Sequence, residues 1–237
     1  MKIMIIGAGR AGSSFAAALG TLHNVSLVHH LNVPSCGGVD LVLLCVPDDA
    51  IATVSTGLQV PAHTVVAHVA GSRGLEVLAP HLRVGSLHPL LSMPDARVGA
   101  ERLRGGVYCL NGDELLNEIV ESLGGRRIEV SDAHRVLYHA TAATAANHLV
   151  ALMAHVQSLA QSAQLELADF LPLARQALED VANLGPRRAL TGPAARGDAA
   201  TIEAHVSALP DDECATYIAL AHRAQRLAQE VESMWSA

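Results

Sequence analysis

Short apolar runs alternate with polar or alanine-rich segments through the first half of the chain. Such runs, bounded by Gly, Pro or Asp, predict strands. The strands are expected at about 2–6, 25–29, 40–46, 64–70, 83–87, 106–110 and 126–130. Helices are expected at 13–22, at 49–58 with Asp48 or Asp49 as N-cap, and from Asp113 to the Gly124-Gly125 pair. This alternation indicates an α/β chain with a mainly parallel, doubly wound sheet.

The strand pattern ends near residue 130, and only helical patterns follow. A very long helix is expected from Ser131 to about Ala163. Shorter helices are expected at about 169–184, 199–208 and 211–235. The sequence therefore predicts two domains, a sheet domain at 1–130 and an all-helical C-terminal domain at 131–237.

A glycine-rich turn joins the first predicted strand to the first predicted helix. Gly7, Gly9 and Gly12 form a GxGxxG pattern, in which the glycines permit a tight turn, close approach of a pyrophosphate and close helix packing. This context favours a Rossmann domain that binds a nicotinamide dinucleotide. The alternative is a tight turn that binds no ligand. The predicted cofactor-binding residues are Gly7, Gly9, Arg10, Ala11, Gly12, His29, Val46 and Pro47.

The choice of cofactor depends on the end of the second strand. NAD sites usually carry an Asp or Glu there, but this chain has His29 and His30, and no carboxylate between Gly7 and Val39. Arg10 offers a positive charge to a 2′-phosphate, which favours NADP over NAD. Only Leu31 to Val39 link strands two and three, too few residues for a helical crossover. That loop leaves open that dinucleotide binding is weak or lost.

Composition narrows the class of partner. The formal net charge is −7, and the arginines are scattered, which argues against a nucleic-acid surface. We expect a cytoplasmic protein with no membrane partner, because no apolar run reaches about 18 residues. No metal site is predicted, since His148 and His155 lie two helical turns apart.

Three later segments resemble a known family. They are Gly85 to Ser92 (GSLHPLLS), Tyr138 to Asn147 (YHATAATAAN) and Leu190 to Asp198 (LTGPAARGD). With the glycine turn and Val46-Pro47-Asp48, they resemble Rossmann-like proteins that carry a DUF2520 C-terminal domain. That family is similar to ketopantoate reductase, pyrroline-5-carboxylate reductase and prephenate dehydrogenase, in the 6-phosphogluconate-dehydrogenase-like group. The resemblance implies a nicotinamide cofactor and a dimer through the helical domain, but no particular substrate.

The chain departs from part of that group in its catalytic residues. Ketopantoate reductases use a lysine on the long helix, whereas Lys2 is the only lysine here. His139 is the predicted replacement, on a helical stripe with Ala143 and Asn147. His88 follows a strand in a His-Pro context similar to that of prephenate dehydrogenases, where Ser72 would fill the role of a neighbouring serine. Imidazoles titrate near neutral pH and can exchange the proton that accompanies hydride transfer.

Each candidate has a structural alternative. His139 and Asn147 can serve helix packing, and His88 can simply stabilise the end of its strand. Arg196 can bind a substrate carboxylate through its planar guanidinium or pair with Asp198 or a partner chain. Asp198 is also placed to cap the helix that begins at about Ala199.

The alanine-rich helix at 140–163 favours close packing against a second copy, so a homodimer is expected. We therefore predict an NAD(P)H-dependent reductase of a small carbonyl or imine compound that carries a carboxylate. The alternative is a protein that binds a dinucleotide or metabolite without turnover, such as a sensor.

Overall fold

The computed structural model describes residues 1–29 and 36–235. By internal contacts the chain divides into two compact units, Met1–Ala146 and Asn147–Ala237. The long helical segment thus begins in the first unit. The domain boundary near residue 130 stays a prediction.

The first unit contains a seven-stranded sheet in the order β2-β1-β3-β4-β5-β6-β7. Its strands are β1 (Lys2–Ile6), β2 (Asn24–Val28), β3 (Leu41–Leu44), β4 (Val65–His68), β5 (Val84–Pro89), β6 (Val107–Gly112) and β7 (Arg126–Glu129). All neighbouring strands pair in parallel except β5 and β6, which are antiparallel. The carboxyl ends of β1 to β5 therefore lie at one edge of the sheet, where parallel α/β proteins bind ligands.

Five helices accompany this sheet: α1 (Arg10–Leu19), α2 (Ile51–Thr56), α3 (Ala96–Leu103), α4 (Leu115–Ser122) and α5 (Arg135–Ala143). Strand β1 shows why both faces of the sheet are covered. Its residues Ile3 and Ile5 belong to one buried cluster, which includes Phe15 of α1. The alternate residues Met4 and Ile6 belong to a second cluster, which includes Ile51 of α2. The predicted doubly wound architecture is confirmed.

The second unit is helical: α6 (Leu149–Ser162), α7 (Leu167–Leu184), α8 (Pro186–Ala189), α9 (Ala199–Ala208) and α10 (Cys214–Trp235). A π-helical turn at Thr144–His148 separates α5 from α6. Asp198 caps α9 as predicted, since its Oδ1 accepts a hydrogen bond from the Thr201 amide at 3.1 Å. Among the described side chains of this unit, only Ala160 is fully buried.

Several local predictions need correction. The N-cap of α2 is Ala50, and neither Asp48 nor Asp49 caps that helix. Asp48 instead accepts a hydrogen bond from Ser72, as described below. The helix predicted from Ser131 begins as a 3₁₀ turn at Asp132–His134, and the π turn interrupts it. A π turn accommodates an extra residue, so the count of 100° per residue does not carry the stripe of His139 and Ala143 on to Asn147.

The connection from β2 to β3 falls partly on residues 30–35, which lie outside the described residues. Residues 36–40, which are described, form a turn and no helix. The prediction that this crossover has shrunk to a loop is therefore tested only in its second part.

Candidate active site

The glycine turn between β1 and α1 has the packing that its pattern predicts. Gly7 has φ +110°, and a Cβ built on it would lie 2.3 Å from the Cys45 carbonyl oxygen. A Cβ on Gly12 would lie 1.8 Å from the Gly7 carbonyl oxygen, so neither position accepts a side chain. A Cβ on Gly9 would meet no atom within 4 Å. The backbone at Gly9 is therefore open to a ligand, while Gly7 and Gly12 hold strand and helix together.

The other predicted cofactor residues surround this turn or follow the neighbouring strands. Arg10 and Ala11 open α1, and Arg10 is exposed. Val46 is buried after β3, with its Cγ1 3.2 Å from a Cβ built on Gly7, and Pro47 is exposed. His29 is exposed directly after β2. No side chain caps α1 and its first turn carries no acidic residue, so its first amides are suited to an anion such as a phosphate.

A loop after β4 brings the two predicted catalytic histidines together. The rings of His88 and His139 have centroids 6.0 Å apart and cross at 76°. Gly71 lies against both, since a Cβ on Gly71 would be 2.8 Å from Nε2 of His88 and 2.7 Å from Cδ2 of His139. His88 comes from β5 and His139 from α5, so the fold joins residues that are far apart in sequence.

His68 fixes the loop that carries Gly71. Its Nδ1 accepts a hydrogen bond from the Ala70 amide at 3.2 Å, and its Nε2 lies 3.1 Å from the Gly74 carbonyl oxygen. Because Nδ1 accepts a hydrogen bond, Nε2 carries the ring proton and donates a hydrogen bond to the Gly74 carbonyl oxygen. Ser72, in the same loop, donates to Oδ2 of Asp48 at 2.8 Å. These bonds connect the carboxyl ends of β3 and β4 beside the histidines.

Two residues at this site were not predicted as functional. Tyr138 places its hydroxyl oxygen 2.7 Å from Nδ1 of His88, with ring centroids 5.5 Å apart. Cys109 faces His88 across the β5–β6 pair. Tyr138 lies within a motif quoted above, so the sequence held a signal for it. Cys109 is fully buried, and only the strand register reveals its neighbour.

Arg135 is the second unpredicted residue. Its side chain is 2% exposed, and none of its three guanidinium nitrogens has a hydrogen-bond partner among the described residues. The nearest carboxylate oxygen is Oδ1 of Asp132, 3.5 Å from Nε, on a side chain that is 71% exposed. A buried guanidinium with so little compensation is energetically costly. An arginine at the start of a helix carries no sequence signal for such burial.

Partial burial keeps His88 neutral at neutral pH. Desolvation, followed by the positive fields of His139 and Arg135, lowers the pKa of His88 to about 4, although Asp48 acts in the opposite direction. His68 adds a further small lowering. Desolvation also lowers the pKa of His68 and raises those of Tyr138 and Cys109. At neutral pH, therefore, His68 and His88 are neutral imidazoles, and Tyr138 and Cys109 keep their protons, beside the buried cation of Arg135.

The remaining predicted residues lie in the second unit. Asn147 is exposed within the π turn, and Arg196 is exposed in the loop before α9. No ion pair between Arg196 and Asp198 occurs in the described part of the chain. His155 instead forms a short contact with Glu213, and His205 Nδ1 lies 2.6 Å from the Tyr217 hydroxyl.

Within residues 1–29 and 36–235, no three His, Cys, Asp or Glu side chains are grouped so that they could hold a metal ion. In the same residues, no helix is long and apolar enough to cross a membrane.

Two family models match the chain. Residues 25–94 match a Rossmann-like domain, and residues 110–224 match DUF2520, a domain of unknown function. The chain therefore belongs to the proteins that join a Rossmann-like domain to a DUF2520 domain, which confirms the resemblance inferred from the motifs. A comparison with curated proteins finds no match.

Solved structures share the fold at low identity. A Bacteroides fragilis protein provisionally described as an NADP oxidoreductase is 20% identical, with a TM-score of 0.78 over 95% of this chain and 98% of that chain. A reductive aminase from Aspergillus terreus, solved with NADPH and ethyl levulinate, is 14% identical, with a TM-score of 0.68 over 97% and 94%. The 1-pyrroline-5-carboxylate reductase of Streptococcus pyogenes is 18% identical, with a TM-score of 0.61 over 95% and 98%.

Acid is expected to destabilise the first unit through His88. An unfolded histidine binds its proton with a pKa of about 6.5, whereas the pKa of folded His88 is about 4. The contribution of neutral His88 to the free energy of unfolding is therefore complete above pH 6.5, and it is lost progressively as the pH falls towards 4. The expected loss is on the order of 3 kcal/mol.

Hydrogen exchange of the β4 and β5 peptides, followed by mass spectrometry, measures this loss locally. The opening free energy should fall between pH 7 and pH 4.5 by less in His88→Asn than in the unsubstituted chain. His63→Asn, at an exposed position, should leave the fall unchanged. An equal fall in all three proteins would mean that His88 is not held neutral by its surroundings.

Proposed function

We propose that this protein is an NADPH-dependent reductase of a small carbonyl or imine compound that carries a carboxylate. The observation that carries the proposal is the convergence of His88 and His139 on Gly71, at the carboxyl edge of a sheet with an open glycine turn. That edge is where a doubly wound sheet binds its ligands. The solved relatives with NADPH or NADP, from Aspergillus terreus and Plasmodium falciparum, add support by analogy of fold.

In this proposal the glycine turn holds the dinucleotide. The amides at the start of α1 bind its pyrophosphate, and Arg10 meets the 2′-phosphate. Val46, Pro47 and His29 line the same edge. The cofactor would supply the hydride, while the protein orients the substrate and supplies the proton. The absence of a carboxylate after β2 favours NADP, since no negative charge repels the extra phosphate.

The proton reaches the substrate from the histidine pair. His88 presents Nε2 to Gly71, and no described residue hydrogen-bonds that nitrogen. His139 is the second candidate for this proton transfer, and Ser72 would help to place the substrate. From the sequence motifs we also propose that Asn147 orients the substrate and that Arg196 binds its carboxylate. We further propose that the second unit forms a homodimer. Its large apolar side chains remain exposed in one copy, for example Val150 at 71% and Leu173 at 65%.

A non-catalytic binding protein is the second candidate. The short connection after β2 and the lack of a lysine on the long helix favour it. A binding protein would hold the dinucleotide without needing His88 or His139 to exchange a proton.

Cofactor binding is tested by titration with NADPH and NADH, monitored by nicotinamide fluorescence. We expect NADPH to bind with a dissociation constant in roughly the micromolar range and NADH to bind more weakly. Arg10→Ala should weaken NADPH binding about tenfold and leave NADH unchanged, because only NADPH carries the 2′-phosphate. Arg97→Ala, at an exposed position on α3, is the matched control. Failure of both dinucleotides to bind would contradict the cofactor assignment.

Turnover separates the reductase from the binding protein. Pyruvate and 1-pyrroline-2-carboxylate serve as a 2-oxo acid and a cyclic imine, with NADPH oxidation followed at saturating cofactor. His88→Ala and His139→Ala should each slow turnover about a hundredfold while NADPH still binds. His63→Ala should have no effect. Full turnover in both histidine variants would show that these residues do not carry the proton.

A further inference from the structure

The Tyr138 hydroxyl lies within hydrogen-bonding distance of the His88 imidazole. Its oxygen is 2.7 Å from Nδ1 of His88, and the two rings are nearly perpendicular, at 89°. Cys109 pairs with His88 in the register of β5 and β6. Tyr138 and His88 form a two-residue chain that ends at Nε2 of His88, beside Gly71.

The chemistry of a neutral imidazole makes this chain significant. A neutral His88 holds a single proton, and if Nδ1 accepts from Tyr138 that proton is on Nε2. Were Nε2 to give it to a substrate without compensation, His88 would become an imidazolate, which is far too basic to form at neutral pH. A proton must therefore reach Nδ1 as the first one leaves Nε2. Tyr138 is the donor in contact with Nδ1.

Such a transfer leaves a negative charge on Tyr138, and the buried Arg135 can compensate that charge. Its positive field favours the ionised form of Tyr138 and opposes a second proton on His88, so both effects promote transfer outward. Desolvation and then the neighbouring Cys109 act on Tyr138 in the opposite direction, and both raise the pKa of its hydroxyl. His139 and His68 act on His88 in the same direction as Arg135, and Asp48 opposes them. A guanidinium without hydrogen-bond partners among the described residues can thus serve as the counter-charge of a transient anion.

We propose that Tyr138 is the proton source of this site, that His88 relays its proton, and that Arg135 stabilises the resulting tyrosinate. The proposal deepens the reductase function above and rests on it for the substrate. The O–H bond of Tyr138 breaks as an N–H bond forms at Nδ1 of His88. The N–H bond at Nε2 breaks as a new bond forms to the substrate oxygen or nitrogen. The cofactor would supply the hydride that the substrate carbon receives. The proton on Nδ1 then returns to the tyrosinate as Nε2 of His88 takes a proton from solvent, which restores the starting state.

The first test needs neither cofactor nor substrate. In protein labelled with ¹⁵N-histidine, NMR at pH 7 reports which ring nitrogen of His88 holds the proton, with the resonance assigned through His88→Asn. The relay requires the Nε2–H form. Tyr138→Phe removes the hydroxyl and should shift His88 towards a mixture of both neutral forms. Tyr217→Phe removes the hydroxyl beside Nδ1 of His205 and is the matched control, which should leave His88 unchanged.

An Nδ1–H form of His88 in the unsubstituted protein would overturn the proposal. Tyr138 would then accept a hydrogen bond from His88 and could not supply the proton. This result would leave the reductase assignment standing. Conversely, an Nε2–H form in a protein that neither binds NADPH nor oxidises it would refute the reductase assignment and leave the relay without a reaction.

The second test measures the proton transfer itself. Single-turnover rates with NADPH and 1-pyrroline-2-carboxylate are recorded in mixtures of H₂O and D₂O. When two protons move in the rate-limiting step, the rate depends on the deuterium fraction along a curve rather than a line. We expect such a curve in the unsubstituted protein. Tyr138→Phe should react about a hundredfold more slowly, with a linear dependence and unchanged NADPH affinity. Arg135→Gln should also lower the rate but retain the curvature, because both protons still move.

A purely structural role of Tyr138 would give a different pattern. Tyr138→Phe would then lower thermal stability or substrate affinity, and the rate at saturation would keep its original isotope dependence. Linear dependence in the unsubstituted protein, or equal rates in both proteins, would contradict the relay.

Discussion

The candidate site depends on the partial burial of one imidazole, that of His88, at the carboxyl edge of the sheet. Burial removes the water that would stabilise a protonated ring, and the pKa of His88 falls to about 4 as a result. The same burial brings His88 against Gly71, His139 and Tyr138. A histidine that stays neutral can give up its Nε2 proton only if another group supplies a proton to Nδ1. The chemistry assigned to the neighbouring residues follows from this constraint.

The surrounding structure keeps this arrangement in place by short-range contacts. His68 holds the loop of Gly71 with both ring nitrogens, and Ser72 connects that loop to Asp48 after β3. At the same edge of the sheet, the glycine turn allows α1 to approach β1 closely. The proposed cofactor site and the proposed proton-transfer site therefore occupy one edge of one sheet, as expected where parallel strands end together.

Much of the fold could be predicted because apolar runs specify buried strands. All seven predicted strands are present, with bounds that differ by at most a few residues. Helix α3 was not predicted, since its segment is short and mixed in character. Its N-cap Asp95, which accepts a hydrogen bond from the Val98 amide, was the available signal. The prediction of a helix cap also failed where the side chain forms a hydrogen bond elsewhere in the fold, as Asp48 does with Ser72.

The site was predictable only in part. His88 and His139 were recognised from motifs and from the missing lysine, but their convergence depends on tertiary structure. The position of Cys109 opposite His88 depends on an antiparallel register between β5 and β6, and the alternation of strands and helices does not encode that register. The burial of Arg135 likewise has no signature in local sequence. Pairings between distant segments are decided by packing, and these are the features that sequence patterns could not supply.

The most direct test of the account is a crystal structure of the protein with NADP⁺ and oxamate, an unreactive analogue of a 2-oxo acid. The dinucleotide is expected on the glycine turn, with the carbonyl oxygen of the oxamate amide at about 3 Å from Nε2 of His88. The nicotinamide ring should face the carbon atom of that carbonyl group. Oxamate and nicotinamide bound away from His88, or an empty glycine turn at saturating ligand, would contradict it.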